Sequence, residues 1–199
     1  MTKTILTLLV VLALPALLLA EGENEIKMTP SHDKAAEEQA AAPKETIGSV
    51  AGIQWHVPGD WTIAPEKPMR VATYQIAAVE GDSSKAECAV YYFGPDQGGS
   101  VEANIKRWIG QMKEPASVER SDLESALGKV ALLEVTGTYK ESAGPMMAVK
   151  AEHPGWKLIG AVVPGPQGSV FFKLTGPAAT VTKVRALFVE MLKSATPAN

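Results

Sequence analysis

Along residues 47–196, some stretches have the two-residue apolar period of a strand and others the 3.6-residue apolar period of a helix. Strand-like runs occupy residues 53–57 and 69–79, where apolar and polar side chains alternate, and residues 86–93, which are mostly apolar. Two further strand-like runs, residues 123–127 and 129–139, lie on either side of a turn at Gly128. Glycine- and proline-rich turns separate these runs, and a last pair at residues 156–163 and 168–174 flanks such a turn. The pattern therefore predicts antiparallel hairpins.

Residues 98–112 carry the first helical pattern. Gly98 and Gly99 lead into Ser100, whose hydroxyl is suited to cap the first turn of a helix. At about 100° per residue, one apolar stripe contains Val101, Ile105, Trp108 and Met112, with Ile109 beside it. Three long hydrogen-bonding side chains follow one flank of that stripe: Asn104, Arg107 and Gln111. Pro115 is expected to end this helix.

A second helical pattern begins near Pro177, a residue type that is well tolerated in a first helical turn. Its buried stripe is predicted to contain Val181, Val184, Phe188 and Met191. Together these elements predict an α+β fold, in which one helix interrupts an antiparallel β-sheet and a second helix closes it.

The N-terminal segment differs in composition from the rest of the 199 residues. Residues 1–20 contain one lysine, a short apolar run and a small residue at Ala20, which predicts a secretory signal peptide. Retention as an uncleaved anchor is the alternative. Residues 21–46 hold seven acidic and three basic residues and almost no large apolar ones, which predicts a flexible acidic spacer. Residues 47–196 are then a single globular domain.

The predicted compartment follows from the signal pattern. Export would place the domain in the periplasm or outside the cell, with no membrane span left after signal cleavage. Acidic and basic residues balance in residues 47–199. The net charge of the domain therefore does not indicate binding to nucleic acid or to an anionic membrane surface.

Two stretches resemble PsbP-like proteins. Residues 55–61, Trp-His-Val-Pro-Gly-Asp-Trp, are similar to the strand, proline and tryptophan that open those proteins. Residues 171–177, Phe-Phe-Lys-Leu-Thr-Gly-Pro, and the helix through Ser194 are similar to the strand, Gly-Pro and terminal helix that close them. The resemblance implies a sandwich of antiparallel sheet flanked by helices. Members of that fold serve as accessory subunits, small-protein binders and exported proteins of unknown role.

The chain also resembles a group of exported bacterial proteins of unknown function. Residues 98–108 and the run Gly144-Pro145-Met146-Met147 carry this second resemblance. Neither resemblance implies an activity, a cofactor or a set of site residues for this chain.

Candidate catalytic and metal-binding residues are few. Cys88, the only cysteine, lies in an apolar run, which favours a small buried hydrophobe over a nucleophile. The three histidines, at positions 32, 56 and 153, are not spaced as metal ligands, and no serine has a nucleophile motif. Gly98-Gly99 before a helix is suited to hold an anion on free N–H groups, but the loop lacks the lysine of a P-loop. We predict no metal, cofactor or catalytic residue.

The best candidate for a binding site is the polar flank of the first helix. Five residues form this candidate site: Arg70, Tyr74, Asn104, Arg107 and Gln111. The helix residues either face solvent or border a groove against the sheet, where alternation along residues 69–79 places Arg70 and Tyr74 on one face. Arg70 lies among apolar neighbours, so it needs a ligand anion or, as the alternative, an ion pair with Glu87 or Glu134.

These features predict an exported, non-catalytic domain that binds a protein partner or a small molecule. Two alternatives stay open at this point. One is an envelope hydrolase whose site is assembled in space around Cys88 or a serine. The other is a purely structural component of the cell envelope.

Overall fold

Residues 46–143 and 148–198 are described by the computed structural model, and all of them belong to one unit, Ala41–Asn199. The predicted signal peptide, the predicted spacer apart from its last residue, Thr46, and the pair Met146 and Met147 lie outside the described residues.

Ten strands and two helices make up this part of the chain. The first strands are β1 (Thr46–Val50), β2 (Ile53–Val57), β3 (Thr62–Ile63), β4 (Ala72–Ile76) and β5 (Ala86–Tyr91). Next come α1 (Val101–Gly110), β6 (Met112–Ser125), β7 (Gly128–Ala143), β8 (Ala148–Val163) and β9 (Val170–Pro177). The order ends with α2 (Ala178–Lys193) and β10 (Thr196–Pro197). Within these residues no helix is long and apolar enough to cross a membrane.

The strands form two antiparallel sheets. Seven strands pair in the order β3-β4-β5-β9-β8-β7-β6, and the other three pair in the order β1-β2-β10. The hairpins predicted from alternation are present: Tyr74 of β4 lies opposite Cys88 of β5, and Ile159 of β8 lies opposite Leu174 of β9. Both predicted helices are present as well, which confirms the α+β fold class.

Side-chain alternation gives the seven-stranded sheet two faces, and α2 covers one of them. Val181 and Phe188 of α2 belong to one buried cluster with Ile159 and Phe172 of the sheet. The strand β2 joins this cluster through Trp55, whose ring meets that of Phe172 edge-on at 5.1 Å between centroids. The larger core of the protein therefore lies between α2, β2 and the sheet.

The helix α1 covers part of the opposite face. Ile105 and Trp108 belong to a second buried cluster with Leu158 and Phe171, which occupy alternate strand positions to those of the first cluster. Gly160 permits this approach, because a Cβ atom there would lie 2.3 Å from Cε3 of Trp108. The helix contacts chiefly β6, β7 and β8, so the β5 and β9 portion of this face lies beside it.

The first helix begins as predicted but ends earlier. Ser100 caps it, and the serine hydroxyl accepts a backbone hydrogen bond at 3.2 Å. The helix ends at Gly110, and Pro115 lies inside β6, so the prediction that Pro115 ends the helix is wrong. Proline is tolerated there because β6 is an edge strand whose pairing with β7 shifts register between Lys113 and Ser117.

The prediction that Arg70 and Tyr74 share one face of a strand is wrong. The strand β4 begins two residues after Arg70, and Met69 has a left-handed φ of 65°, so regular alternation does not extend back to Arg70. The Arg70 side chain reaches Thr73 and Glu87 on the α1 face instead. Tyr74 points to the opposite core and is only 1% exposed.

Candidate ligand-binding cleft

A cleft of about 370 Å³ lies on the α1 face of the sheet, next to the residue that follows α1. The strands β5 and β9 contribute to it through side chains on this face, and the segment before β4 and the end of β7 complete it. Four basic and two acidic side chains line it with aromatic and polar ones: Lys67, Arg70, Lys85, Glu87, Tyr91, Gln111, Tyr139, Glu141, Ser142, Trp156, Lys173 and Thr175. We call it the cationic cleft.

Lys173 is the side chain whose environment departs most from that of an ordinary lysine. Its two neighbours in β9, Phe172 and Leu174, point to the α2 core, whereas Lys173 points to the cationic cleft. Its Nζ donates hydrogen bonds to Gln111 Oε1 at 3.3 Å and to Tyr139 Oη at 3.2 Å, both uncharged acceptors. None of the carboxylates in the described ranges forms an ion pair with it.

The charge on Lys173 is disfavoured by its surroundings. Burial, followed by the nearby charge of Arg70, lowers the pKa of Lys173 to about 8, and Glu87 opposes this effect only in part. At neutral pH the group is still mostly protonated. It is thus a partly desolvated cation without an ion-pair partner among the described residues.

Arg70 and Lys67 share a single carboxylate, that of Glu87. Each cation forms an ion pair with one Glu87 oxygen, and Arg70 also donates to Thr73 Oγ1 at 3.3 Å. Burial acts to raise the pKa of Glu87, but the two cations outweigh it and hold that pKa below its usual value. The guanidinium carbon of Arg70 lies 5.8 Å from the Tyr91 ring centroid. The alternative ion pair to Glu87 is therefore present, and the cluster still carries excess positive charge.

Stacked rings form a wall of the cationic cleft. Tyr139 and Trp156 are nearly parallel, with centroids 5.7 Å apart, and His153 lies 4.2 Å from Trp156. Glu141, at the same side, is paired with His153 and with a lysine of β8. Burial raises the pKa of Tyr139 to about 12, so its hydroxyl stays a neutral partner for the lysine of β9.

A second cavity of about 150 Å³ continues from the cationic cleft between α1 and the sheet. Aromatic rings and the polar flank of α1 line it: Tyr91, Phe93, Asn104, Arg107, Trp108, Gln111, Phe171 and Lys173. We call it the apolar chamber. Three residues line both cavities, namely Tyr91, Gln111 and Lys173, so the two cavities adjoin at these side chains, and we call the pair the groove.

Asn104 and Arg107 form the helix side of the apolar chamber. Asn104 is buried, and its amide nitrogen donates to the carbonyl oxygens of Gly98 and Ser100, both at 2.9 Å. Its Oδ1 accepts a hydrogen bond from Arg107 Nη1 at 2.9 Å. Asn104 therefore closes the loop before α1 and orients Arg107. The exposed guanidinium of Arg107 pairs with no carboxylate in the part of the chain that the structure describes.

Cys88 and the metal-ligating residue types are the remaining candidates for chemistry among the described residues. Cys88 is fully buried in the α2 core, and burial raises the pKa of its thiol. It is the small buried hydrophobe that its apolar neighbours predict. Within residues 46–143 and 148–198, no three or more His, Cys, Asp or Glu side chains are grouped so as to hold a metal ion.

The groove brings together four of the five predicted site residues: Arg70, Asn104, Arg107 and Gln111. Gln111 lines both cavities, Arg70 lines the cationic cleft, and the other two line the apolar chamber. Tyr74 lies outside the groove, because it accepts a hydrogen bond from Trp55 Nε1 at 3.2 Å in the core on the other face. Together with Arg70 it lines a separate cavity of about 270 Å³.

Comparison with known proteins finds solved structures of similar fold. No family model and no curated protein matches the chain. The solution structure of cyanobacterial PsbP (CyanoP) from Synechocystis is similar over 80% of this chain and 96% of its own, at 12% identity and a TM-score of 0.47. A crystal structure of a Pseudomonas aeruginosa protein of unknown function is similar over 78% of this chain and 98% of its own, at 12% identity and a TM-score of 0.46.

A PsbP-like protein is therefore among the similar structures, in agreement with the resemblance of the two sequence motifs. At these identities and TM-scores, neither structure assigns a function to this chain.

Several groove residues were not identified from the sequence, above all Lys173, Tyr139, Trp156 and Lys67. These residues are far apart in the sequence, and they lie close together because of the pairing of the strands and the path of the loop before β4. One signal was available, because Lys173 lies in a strand whose neighbouring residues are apolar on both faces. A lysine in such a strand is rarely buried without a partner.

Proposed function

We propose that this protein is an exported, non-catalytic binding protein whose groove holds a small anion. The observation that carries the proposal is Lys173, a partly buried cation with two neutral acceptors and no carboxylate partner in the described ranges. A desolvated charge without a counter-ion costs free energy, and an anionic ligand would offset that cost.

The surrounding charges support an anion as the ligand. Among the described residues, Lys67 and Arg70 share Glu87 as their one carboxylate partner, and Lys85 donates a hydrogen bond to the neutral Oε1 of Gln75 at 3.5 Å. The planar guanidinium of Arg70 is suited to bidentate contact with a carboxylate or a phosphate.

Export is the second part of the proposal. The signal-peptide pattern of residues 1–20 supports it and would place the protein in the periplasm or outside the cell. The expected result is that protein recovered from the cell envelope has a denatured mass that lacks residues 1–20. A mass that includes them would contradict cleavage.

Native mass spectrometry of the same material tests binding. We expect the wild-type protein to retain a small acidic adduct and Lys173→Met to lose it. Lys183→Met is the matched control, because it removes an exposed lysine of α2 on the other side of the sheet, and it should keep the adduct. A wild-type protein without an adduct, or an adduct that survives in Lys173→Met, would contradict the proposal.

A further inference from the structure

We infer that the ligand is a small aromatic anion, with its charged group in the cationic cleft and its ring in the apolar chamber. This inference rests on the proposed function and adds the chemical class of the ligand.

The first argument is that the two cavities adjoin at Lys173. Because Lys173 lines both, an anionic group that meets its ammonium lies next to the apolar chamber. We infer that a group attached to that anion reaches the aromatic rings of the chamber.

The second argument is the size and lining of the apolar chamber. A volume of about 150 Å³ is comparable to cavities that admit benzene. Phe93 stacks on Tyr91 with centroids 6.1 Å apart and tilts against Phe171 at 5.8 Å. Phe93 nevertheless remains 37% exposed, so a ligand ring that packs against it would remove apolar surface from water.

The third argument favours an aromatic ring over an alkyl chain. Asn104 holds Arg107 at the chamber, and the guanidinium has no carboxylate partner in the described part of the chain. A guanidinium is attracted to the face of an aromatic ring, whereas an alkyl group offers no such interaction.

Titration with simple probes tests the inference, with NMR detection for weak binding. We expect 3-phenylpropionate to bind at least about tenfold more tightly than propionate, because its ring gains a buried apolar contact. The alcohol 3-phenylpropanol, which has the ring without the charge, should show no detectable binding. A parallel titration with 2-phenylethyl phosphate identifies which anionic group the cleft prefers, and tight binding of either acid supports the inference.

Variants separate the two subsites. Phe93→Ala should remove most of the affinity that 3-phenylpropionate gains over propionate, and it should weaken 3-phenylpropionate far more than propionate. Leu187→Ala is the control, since Leu187 is similarly exposed, at 41%, but lies on α2. It should change neither affinity, whereas Lys173→Met should weaken both acids.

The outcomes distinguish this inference from the proposed function. If propionate binds and Lys173→Met abolishes it, but the ring adds nothing, the aromatic ligand class is wrong and anion binding stands. If neither propionate, 3-phenylpropionate nor 2-phenylethyl phosphate binds, both proposals are wrong. If the ring advantage survives Phe93→Ala, the placement of the ring in the apolar chamber is wrong.

Discussion

The charge of Lys173 is expected to destabilise the ligand-free fold and to favour the binding of an anion. Its pKa lies near 8, below the ordinary value of 10.5, so the folded state without ligand disfavours the charged form. We expect Lys173→Met to stabilise the ligand-free protein by about 1 kcal/mol, after allowance for the two lost hydrogen bonds. Thermal unfolding should then show a melting temperature higher by about 2–4 °C, together with loss of anion binding.

The control for this prediction is Lys183→Met, which should leave both the melting temperature and anion binding unchanged. A lower melting temperature for Lys173→Met would show that the hydrogen bonds to Gln111 and Tyr139 hold the fold, and that the lysine is a structural residue. Residues selected for binding often reduce stability, whereas structural residues do not.

The protonation of Lys173 also predicts how binding depends on pH. An anion interacts with the ammonium form, which the free protein loses as the pH rises through about 8. Affinity for 3-phenylpropionate should therefore be nearly constant between pH 6 and 7 and should fall by up to about tenfold per pH unit above 8. Titrations from pH 6 to 9.5 measure this, and a flat wild-type profile would contradict a direct contact. In Lys173→Met any residual affinity should lack the decline.

At the residue scale, part of the candidate groove could be predicted from the sequence, because helical periodicity is a local property. Asn104, Arg107 and Gln111 share one flank of a regular helix, so their spacing alone predicts that they lie together. The side of the sheet that Arg70 faces depends on the left-handed backbone at Met69, which simple alternation does not reveal. The environment of Lys173 depends on strands far away in the sequence.

At the scale of elements, the contact between α1 and β8 positions the groove. Trp108 packs directly on Gly160, and a Cβ atom at that position would lie 2.3 Å from the ring. We expect Gly160→Ala to destabilise the protein by about 1–3 kcal/mol, because the buried ring has to move. Denaturant unfolding measures the loss. Binding of 3-phenylpropionate should weaken as well, since α1 also carries Arg107 and precedes Gln111.

Gly110→Ala is the matched control, because nothing lies within 4 Å of a Cβ atom at that position in the last turn of α1. It should be neutral or stabilising by up to about 1 kcal/mol. Equal unfolding curves for Gly160→Ala and the wild type would show that α1 does not depend on this close contact.

Most helices and strands could be predicted, because each depends on the pattern of apolar residues within a short stretch of sequence. The apolar stripes of α1 and α2 have the expected helical period, and the turn at Gly128 is present. Both helices begin close to the predicted residues, although α1 ends before Pro115. Only the last part of β6 was predicted. Its first part contains Pro115 and a run of polar residues, a sequence that is not typical of a strand, and its pairing with β7 shifts register there. Edge strands carry little periodic signal of their own.

At the scale of the whole molecule, the groove proposed for binding and the larger core lie on opposite faces of one sheet. The groove lies on the α1 face, whereas the larger core and an ion-pair cluster around the buried Glu134 lie on the α2 face. In that cluster Glu134 bridges Lys157 and Arg185, both at 2.7 Å, and connects the sheet to α2. This separation allows the cleft to hold Lys173, which has no ion-pair partner among the described residues, because the α2 face supplies most of the buried apolar contacts.

The Glu134 cluster predicts how the stability of the protein depends on pH. Burial acts to raise the pKa of Glu134, but Lys157 and Arg185 outweigh it and hold that pKa below 4.5. On acidification the unfolded state therefore takes up a proton before the folded state does. The stabilisation is complete above about pH 4.5 and is lost as the pH falls through the lower folded-state pKa. Glu87, whose pKa is also lowered, adds to the same acid-side loss.

Glu134→Gln isolates this contribution. At pH 7 the variant should be less stable than the wild type by roughly 3 kcal/mol, because Lys157, only 15% exposed, loses its carboxylate. As the pH falls from 5 towards 3, the wild-type protein should lose this advantage, so the two melting temperatures should converge. Glu190→Gln, which alters an exposed carboxylate of α2, should follow the wild type throughout. A melting-temperature difference between Glu134→Gln and the wild type that stays constant from pH 7 to pH 3 would mean that the ion pairs do not lower the pKa of Glu134. The acid sensitivity would then have to arise elsewhere, with the Glu87 cluster at the cationic cleft as the next group to test.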